Sequence, residues 1–268
     1  MTDRHPASDA VRDAAQIIAA ARRSLAPLPP LPQALAPQGV DDGYRIQSEV
    51  HRLLAPGLGP LVGYKIGCTS DVMQEYLAIP HPCAGGIPAR AVHQGGVVLD
   101  AAGFVRVGVE CEIAVRLGQD LVPAGAPFTG DSVADSIECY LPAIEIVDDR
   151  YVHWETLGAP TLIADDFFAA GVVLGRPVPR SAVPDLLQVQ GRTLINGREA
   201  GRGSGADVLG HPHHALAWLA NHLARQGTAL RAGEIVMTGS LVKTVWLQAG
   251  DAATMEFSGL GSVQVAFA

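Results

Sequence analysis

Residues 104–117 read FVRVGVECEIAVRL, and the alternation in this stretch decides how the chain is read. Val105, Val107, Val109, Cys111, Ile113, Val115 and Leu117 fall on one side of an extended strand, a continuous apolar face of period two. Glu110 and Glu112 therefore share the other face, about 7 Å apart at the backbone, where they repel unless something positive lies between them. A bound cation would supply that. An isolated E-x-E also fits a face that simply meets water beside Arg106 and Arg116. A second strand, YLPAIEIVDD, bears on the choice: Glu145 sits in the row of Leu141, Ala143 and Val147. A carboxylate buried in that row without a partner would cost several kcal/mol or be forced neutral. Three oxygen ligands, Glu110, Glu112 and Glu145, suit Mg²⁺ or Mn²⁺ and leave positions for water and a chelating substrate.

Outward from this pair the same texture continues. Short strand-like runs (GGVVLD, AGVVLG, EIVMTG, KTVWLQ, ATMEF, SVQVAF) are separated by Gly, Pro and Asp. One helix interrupts them. HPHHALAWLANHLARQG carries Pro212 at its start, an apolar stripe at Ala215, Leu216, Leu219 and Leu223, and Gly227 as its stop. Upstream, residues 9–25 place Val11, Ala14, Ile17, Ile18, Ala21 and Leu25 at helical spacing before the Pro-rich APLPPLPQALAP, a linker or wrapping segment. Asp41 and Asp42 are positioned to cap a second helix, DDGYRIQSEVHRLL, that stops before Pro56 and Gly57. The expectation is a helical N-terminal lobe over residues 1–60 and a mainly β, metal-binding catalytic domain over 61–268, an α+β chain.

Composition narrows the function. A net charge of −8 without a basic patch opposes nucleic-acid binding, and no apolar run approaches the ~20 residues that cross a bilayer. The opening MTDRHPASDAVRDAAQ is polar, which points to the cytoplasm. Cysteines 68, 83, 111 and 139 form no C-x-x-C pair and are expected to remain thiols. GRGSGADVLG matches neither phosphate-binding glycine pattern, so no nucleotide cofactor is implied. His211, His213 and His214 fit a helix start better than a metal site. Thr238, Gly239 and Ser240 follow an apolar strand, a place for substrate hydrogen bonds. His153, Asp149 and Arg150 either border the site or form a salt-bridged loop.

GYKIGCTS, VECEIAV, LPAIEIVDDR, IADDFFAAGVVLG, VLGHPHHALAWLANHLARQG, EIVMTGSLVKTVW and FSGLGSVQVAF, in this order from about residue 40 to the end, resemble the 2-keto-4-pentenoate hydratase and 4-oxalocrotonate decarboxylase branch of the fumarylacetoacetate hydrolase superfamily. The resemblance implies a mostly antiparallel β-roll with a helical N-terminal lobe. It implies Mg²⁺ or Mn²⁺ on Glu110, Glu112 and Glu145, Lys65 as an active-site lysine, and a small 2-keto or 2-hydroxydienoic acid as substrate. It also implies a homo-oligomer or a complex with a related hydratase or decarboxylase. The activity implied is hydration of a 2-hydroxy-2,4-dienoate in aromatic catabolism. The alternatives are a 4-oxalocrotonate-type decarboxylase, an acylpyruvate C–C hydrolase and a non-catalytic partner subunit. Two positions depart from the pattern. Cys83 of HPCAG replaces the Asp of a Gln-Pro-Asp step, either taking over its acid/base role or serving as a small buried thiol. Phe167 and Phe168 stand where hydratases carry a D-N-A-S type stretch, making the substrate pocket bulkier or more apolar.

Overall fold

The computed structural model describes residues 8–183 and 185–268; the first seven residues of the polar opening stretch lie outside them. Helices α1 (Asp9–Ser24) and α2 (Val40–Leu58) form the N-terminal portion. Ser8 caps α1, and Ala14, Ala15, Ile18 and Ala19 are its buried stripe. Helix α2 differs from expectation at both ends. Gly39 is its N-cap, and the Asp42 carboxylate instead accepts from the backbone N–H of Gln38 at 3.0 Å. The helix also continues through Pro56 and Gly57. A proline in the last turn forfeits a single helical hydrogen bond. The end is then closed by Gly59 N–H donating to Ala55 O (2.8 Å) and Arg90 donating to the Gly57 carbonyl (2.8 Å).

Strands β1 (Leu61–Gly67) and β2 (Cys83–Pro88) flank a short helix α3 (Asp71–Tyr76), and β3 (Val92–Gln94) and β4 (Val97–Leu99) follow. The long pair β5 (Val107–Leu117) and β6 (Ile137–Asp148) brackets helix α4 (Gly130–Ala134). Beyond helix α5 (Ala159–Ala164) come β7 (Ala169–Leu174), β8 (Val178–Pro179) and the hairpin β9 (Gln190–Ile195) and β10 (Arg198–Ser204). Helix α6 (Pro212–Arg225) is the helix expected from the sequence, and β11 (Ile235–Ser240), β12 (Val245–Trp246), β13 (Ala252–Phe257) and β14 (Gly261–Phe267) complete the chain.

Two mixed sheets result, ordered β2-β1-β11-β5-β6-β7-β3 and β10-β9-β13-β14-β4. Pairing is antiparallel except at β1/β11, β3/β7 and β14/β4. The two ends of the first sheet, β2 and β3, are joined by only residues 89–91, so the sheet has to curl on itself into an open roll. Its outer face joins the helices and the second sheet in one large core, with Val107, Val109, Cys111 and Ile113 packed among residues that include Ile18, Leu162, Phe257 and Val265. Its inner face holds a second, smaller cluster of Ile87, Ala114, Leu141, Ala143, Val172 and Met237. Glu112 and Glu145 lie on this inner face by alternation, so it does not meet water as an ordinary exposed E-x-E face would. Among the described residues no helix is long and apolar enough to cross a membrane.

Candidate metal centre and adjoining cavity

The β5/β6 register sets Glu110 directly opposite Glu145 and Glu112 opposite Ala143. One carboxylate oxygen from each of Glu110, Glu112 and Glu145 lies within 4.8 Å of the other two. Glu112 and Glu145 are 0% and 1% exposed. Each has an outer partner that fixes its rotamer. Thr244 donates its hydroxyl to Glu110, the backbone N–H of Gly239 donates to Glu112 Oε2 at 2.9 Å, and the Lys65 ammonium stands 3.2 Å from Glu145 Oε1. Glu112 Oε1 and Glu145 Oε1 nevertheless accept no aligned hydrogen bond. Buried carboxylate oxygens left this way cost several kcal/mol and call for an explanation.

Charge points to the same explanation. Three carboxylates and one ammonium leave two negative charges in a desolvated cluster. Burial, then the charge of Glu145, push Glu110 up to about 7. Glu112 is driven well above the usual carboxylate range by burial and by Glu145 and Glu110. For Lys65, burial pulls the ammonium down, but Glu145, Glu110 and Glu112 outweigh it and the net shift is upward. A divalent cation seated among the orphaned oxygens would neutralise the cluster and complete their coordination, and an all-oxygen donor set is the chemistry of Mg²⁺, Mn²⁺ or Ca²⁺. The residues present therefore fit such an ion.

Lys65 projects from β1 beneath the segment 166–168. Its ammonium donates to the Phe167 carbonyl at 2.6 Å and lies 5.4 Å from the centre of the Phe167 ring. Asp166, Phe167 and Phe168 all have positive φ (56°, 49° and 68°), three consecutive left-handed residues other than glycine. Such a run persists only where its surroundings over-determine it, and it clusters at functional sites. Here Asp166 is the anchor, accepting from Gly86 N–H (2.9 Å), His51 Nε2 (2.6 Å) and Arg22 (3.1 Å). Gly85 makes room for the arrangement, since a Cβ there would lie 3.0 Å from Asp166 O and 3.2 Å from Lys65 Cε.

The remaining expected residues divide. The Phe167 ring is beside Lys65, whereas Phe168 packs edge-on against Tyr151 and Trp154. Gly239 holds Glu112, with φ at +119° and a would-be Cβ 2.4 Å from Thr69 Oγ1. The hydroxyl of Thr238 is spent on Ile113 O (2.7 Å) and that of Ser240 on Val242 O (2.6 Å). Cys83 is fully buried, and a hydrogen bond to Cys68 together with burial pushes its thiol far up. His213 bonds the Tyr140 hydroxyl at 2.8 Å, and His211 caps α6.

A cavity of about 200 Å³ opens onto Lys65 and Glu145. Its walls include Arg22, Arg150 and Asp166, a set that the sequence reading missed apart from Arg150. Arg22 and Arg150 both reach the buried Asp165, at 2.5 and 3.1 Å. The doubled aspartate of IADDFF was the available signal, because two adjacent buried carboxylates require buried cations.

Three inward carboxylates on paired strands of a β-roll, with a lysine against one of them, form a candidate divalent-metal centre. The family described as fumarylacetoacetate (FAA) hydrolase C-terminal matches residues 81–268, and the chain belongs to that family. It is 34% identical over 249 residues to the 2-hydroxyhexa-2,4-dienoate hydratase of Comamonas testosteroni, spanning 92% of this chain and 93% of that one. It is 36% identical to a 2-keto-4-pentenoate hydratase of Paraburkholderia phymatum, covering 92% of each. Among solved structures, the 4-oxalocrotonate decarboxylase of Pseudomonas putida complexed with magnesium and adipate superposes with a TM-score of 0.92 at 28% identity, over 99% of this chain and all of the other.

Proposed function

We propose that this protein is a divalent-metal-dependent hydro-lyase that adds water to a small 2-hydroxy-2,4-dienoate or its 2-keto tautomer, with Glu110, Glu112 and Glu145 as the ligands of Mg²⁺ or Mn²⁺. The observation that carries the reading is the buried Glu112 Oε1 without a hydrogen-bond partner, in a cluster of three carboxylates whose oxygens lie within 4.8 Å of one another and which has the Lys65 ammonium against Glu145. Near full-length likeness to a 2-hydroxyhexa-2,4-dienoate hydratase and a 2-keto-4-pentenoate hydratase supports the substrate class. The ion, when bound, supplies positive charge against the carboxylate and keto oxygens of the substrate, lowering the cost of negative charge that builds up there.

The chain's own residues do the rest. Thr244 and the Gly239 N–H hold Glu110 and Glu112 in place. Lys65, fixed by Glu145 and the Phe167 carbonyl, holds a proton at Nζ within reach of the substrate's acid end. The buried roll interior excludes bulk water, which strengthens each of these interactions. Loss of the proton from the 2-hydroxyl and gain of one at carbon 5 would leave the carbon 3–carbon 4 double bond conjugated with the 2-keto group, and water would then add across it, hydroxyl to carbon 4 and proton to carbon 3, giving the 4-hydroxy-2-keto acid. Cys83 is fully buried and does not line the cavity, whereas Lys65 does, so Lys65 is the preferred proton-handling group. Four free, buried cysteines support a reducing compartment, the cytoplasm, and the family resemblance supports a homo-oligomer.

The test follows loss of dienol absorbance from 2-hydroxypenta-2,4-dienoate with and without chelator, and CO₂ release from 2-oxo-hex-3-enedioate in parallel. Chelator-sensitive dienol loss yielding a 4-hydroxy-2-keto acid, without CO₂, is expected. CO₂ release would favour the decarboxylase, and metal binding with silence on both substrates would contradict hydration.

A further inference from the structure

We propose that His51 is a positioning residue of the reaction: through Asp166 it holds the Phe167 carbonyl against the Lys65 ammonium, and so fixes the place from which Lys65 meets the substrate. This rests on the hydratase reading above, in which Lys65 handles the proton.

On α2, Gln47 and His51 lie one turn apart and share a face. Gln47 donates to Ala84 O on β2 and to Ile163 O on α5, at 2.8 Å each, which docks the helix against the segment that carries Asp166. One turn on, His51 Nε2 donates to Asp166 Oδ1 at 2.6 Å. Gly86 leaves room for this approach: a Cβ there would lie 2.7 Å from His51 Cε1 and 2.9 Å from Nε2, and its N–H donates to the same oxygen at 2.9 Å. Among the described residues His51 makes no other hydrogen bond, whereas Arg22, the third partner of Asp166, is shared with Asp165. His51 does not border the cavity at Lys65 and Glu145. It borders a second cavity, of about 360 Å³, with Tyr44, Ser48 and Arg52. Its reach into the reaction therefore runs through Asp166.

Asp166 opens the run of three left-handed, non-glycine residues, which keeps its shape only while its neighbours fix it. The middle residue of that run turns its carbonyl onto Lys65 Nζ at 2.6 Å. The ammonium also stands 3.2 Å from Glu145 Oε1, so a carbonyl on one side and a carboxylate on the other set its position. Without His51, Asp166 keeps the Gly86 N–H and Arg22, but Oδ1 loses its shortest hydrogen bond and the run loses its tie to α2. The strained residues then relax, the Phe167 carbonyl turns away, and Nζ moves with it. A displacement of about 1 Å at a reacting group costs on the order of 100-fold in rate. The three carboxylates make no contact with His51 and keep their own partners, Thr244, the Gly239 N–H and Lys65.

The test compares the full, metal-loaded chain with His51→Leu, which removes the donor, and His51→Gln, whose amide nitrogen can take the place of Nε2. On 2-hydroxypenta-2,4-dienoate, His51→Leu is expected to lower kcat by about 10–100-fold while KM and Mn²⁺ affinity stay within about threefold of wild type, and His51→Gln to recover most of kcat. A spectroscopic readout is independent of turnover. The chain has two lysines, Lys65 and Lys243, so lysine labelled with carbon-13 at Cε gives two NMR signals in the Mg²⁺-loaded protein. Lys65 lies 5.4 Å from the centre of the Phe167 ring and Lys243 is exposed, so the ring current separates them. In His51→Leu the Lys65 signal should move toward that of Lys243, and in His51→Gln it should return. If His51→Leu does not fold, His51→Asn, too short to reach Asp166, takes its place. Unchanged kcat without the donor, equal losses in the Leu and Gln variants, or a Lys65 signal that stays in place overturns the positioning role. A wild-type protein silent on the dienol overturns the hydratase reading, and the lysine signals still decide whether His51 holds Lys65.

Discussion

Glu112→Gln separates the electrostatic cost of the carboxylate cluster from its use, because the two effects have opposite signs. The amide keeps the shape of the side chain, and its oxygen still accepts from the Gly239 N–H. In the metal-free protein it removes a buried negative charge. Carboxylate charges within 4.8 Å of each other repel by about 3.5 kcal/mol or more at an effective dielectric of 20. Glu110, titrating at about 7, is half-ionised at neutral pH, so roughly 1.7 kcal/mol of that repulsion is present there. Glu112 is itself pushed well above its ordinary range, so the native state bears the cost as repulsion or as proton uptake. Relief of about 1.7 kcal/mol should raise the Tm of the chelator-treated variant by about 3–7 °C over wild type. Metal affinity moves the other way. Losing an outer-shell partner costs about 10–100-fold, so losing a direct ligand should cost at least about 100-fold. Thermal unfolding read over a Mn²⁺ titration, with calorimetry for affinity, measures both effects. A lower metal-free Tm, or Mn²⁺ affinity within threefold of wild type, would refute the reasoning.

Further outcomes follow from the same geometry. Lys65→Met should lower kcat by about 10²–10⁴-fold while Mn²⁺ binding stays as tight or tightens, since a competing cation 3.2 Å from Glu145 is gone; lost metal binding by calorimetry would contradict this. The pH dependence of metal-free stability also has a definite sign. Glu110 is raised above its unfolded value to about 7, so its contribution is fully present below about pH 4.5 and is lost as pH rises through 7. Chemical denaturation should therefore show the chelated protein weakening from pH 5 to 8, and saturating Mn²⁺ should reverse the trend. Arg22→Ala removes one of the two guanidiniums on buried Asp165 and one of the three donors to Asp166 and should destabilise the fold by about 1–3 kcal/mol, measured by the shift in urea midpoint.

Much of this was legible in the sequence because strand alternation is a short-range signal. Period two placed Glu110 and Glu112 on one face and set Glu145 in a row with Leu141, Ala143 and Val147, and the β5/β6 pairing brings the three together. What alternation cannot give is register, and it is register that puts Glu110 opposite Glu145. Strand β2, CAGGIP, has no alternation to read, and its position is set by pairing with β1 and by Gln47 donating to Ala84 O (2.8 Å) from α2. The hairpin of β9 and β10 was missed although Asn196 and Gly197, both at positive φ, are the residues a tight turn favours. The Arg22, Asp165, Asp166 and His51 network joins elements more than a hundred residues apart, so only its need for compensation, and not its partners, could be inferred from the chain. Pro56 misled for a related reason. Proline argues against a helix interior, but in a final turn held by Arg90 the penalty is small.

The central claim is that Glu110, Glu112 and Glu145 hold a divalent cation for the reaction. A crystal grown with Mn²⁺ and 2-oxohexanoate, with data collected near the manganese absorption edge, tests it most directly. The account predicts one anomalous peak among the three carboxylates, within about 2.0–2.3 Å of an oxygen from each, with the keto acid beside Lys65. An empty cluster with manganese bound elsewhere, for example at His211 and His213, would contradict it.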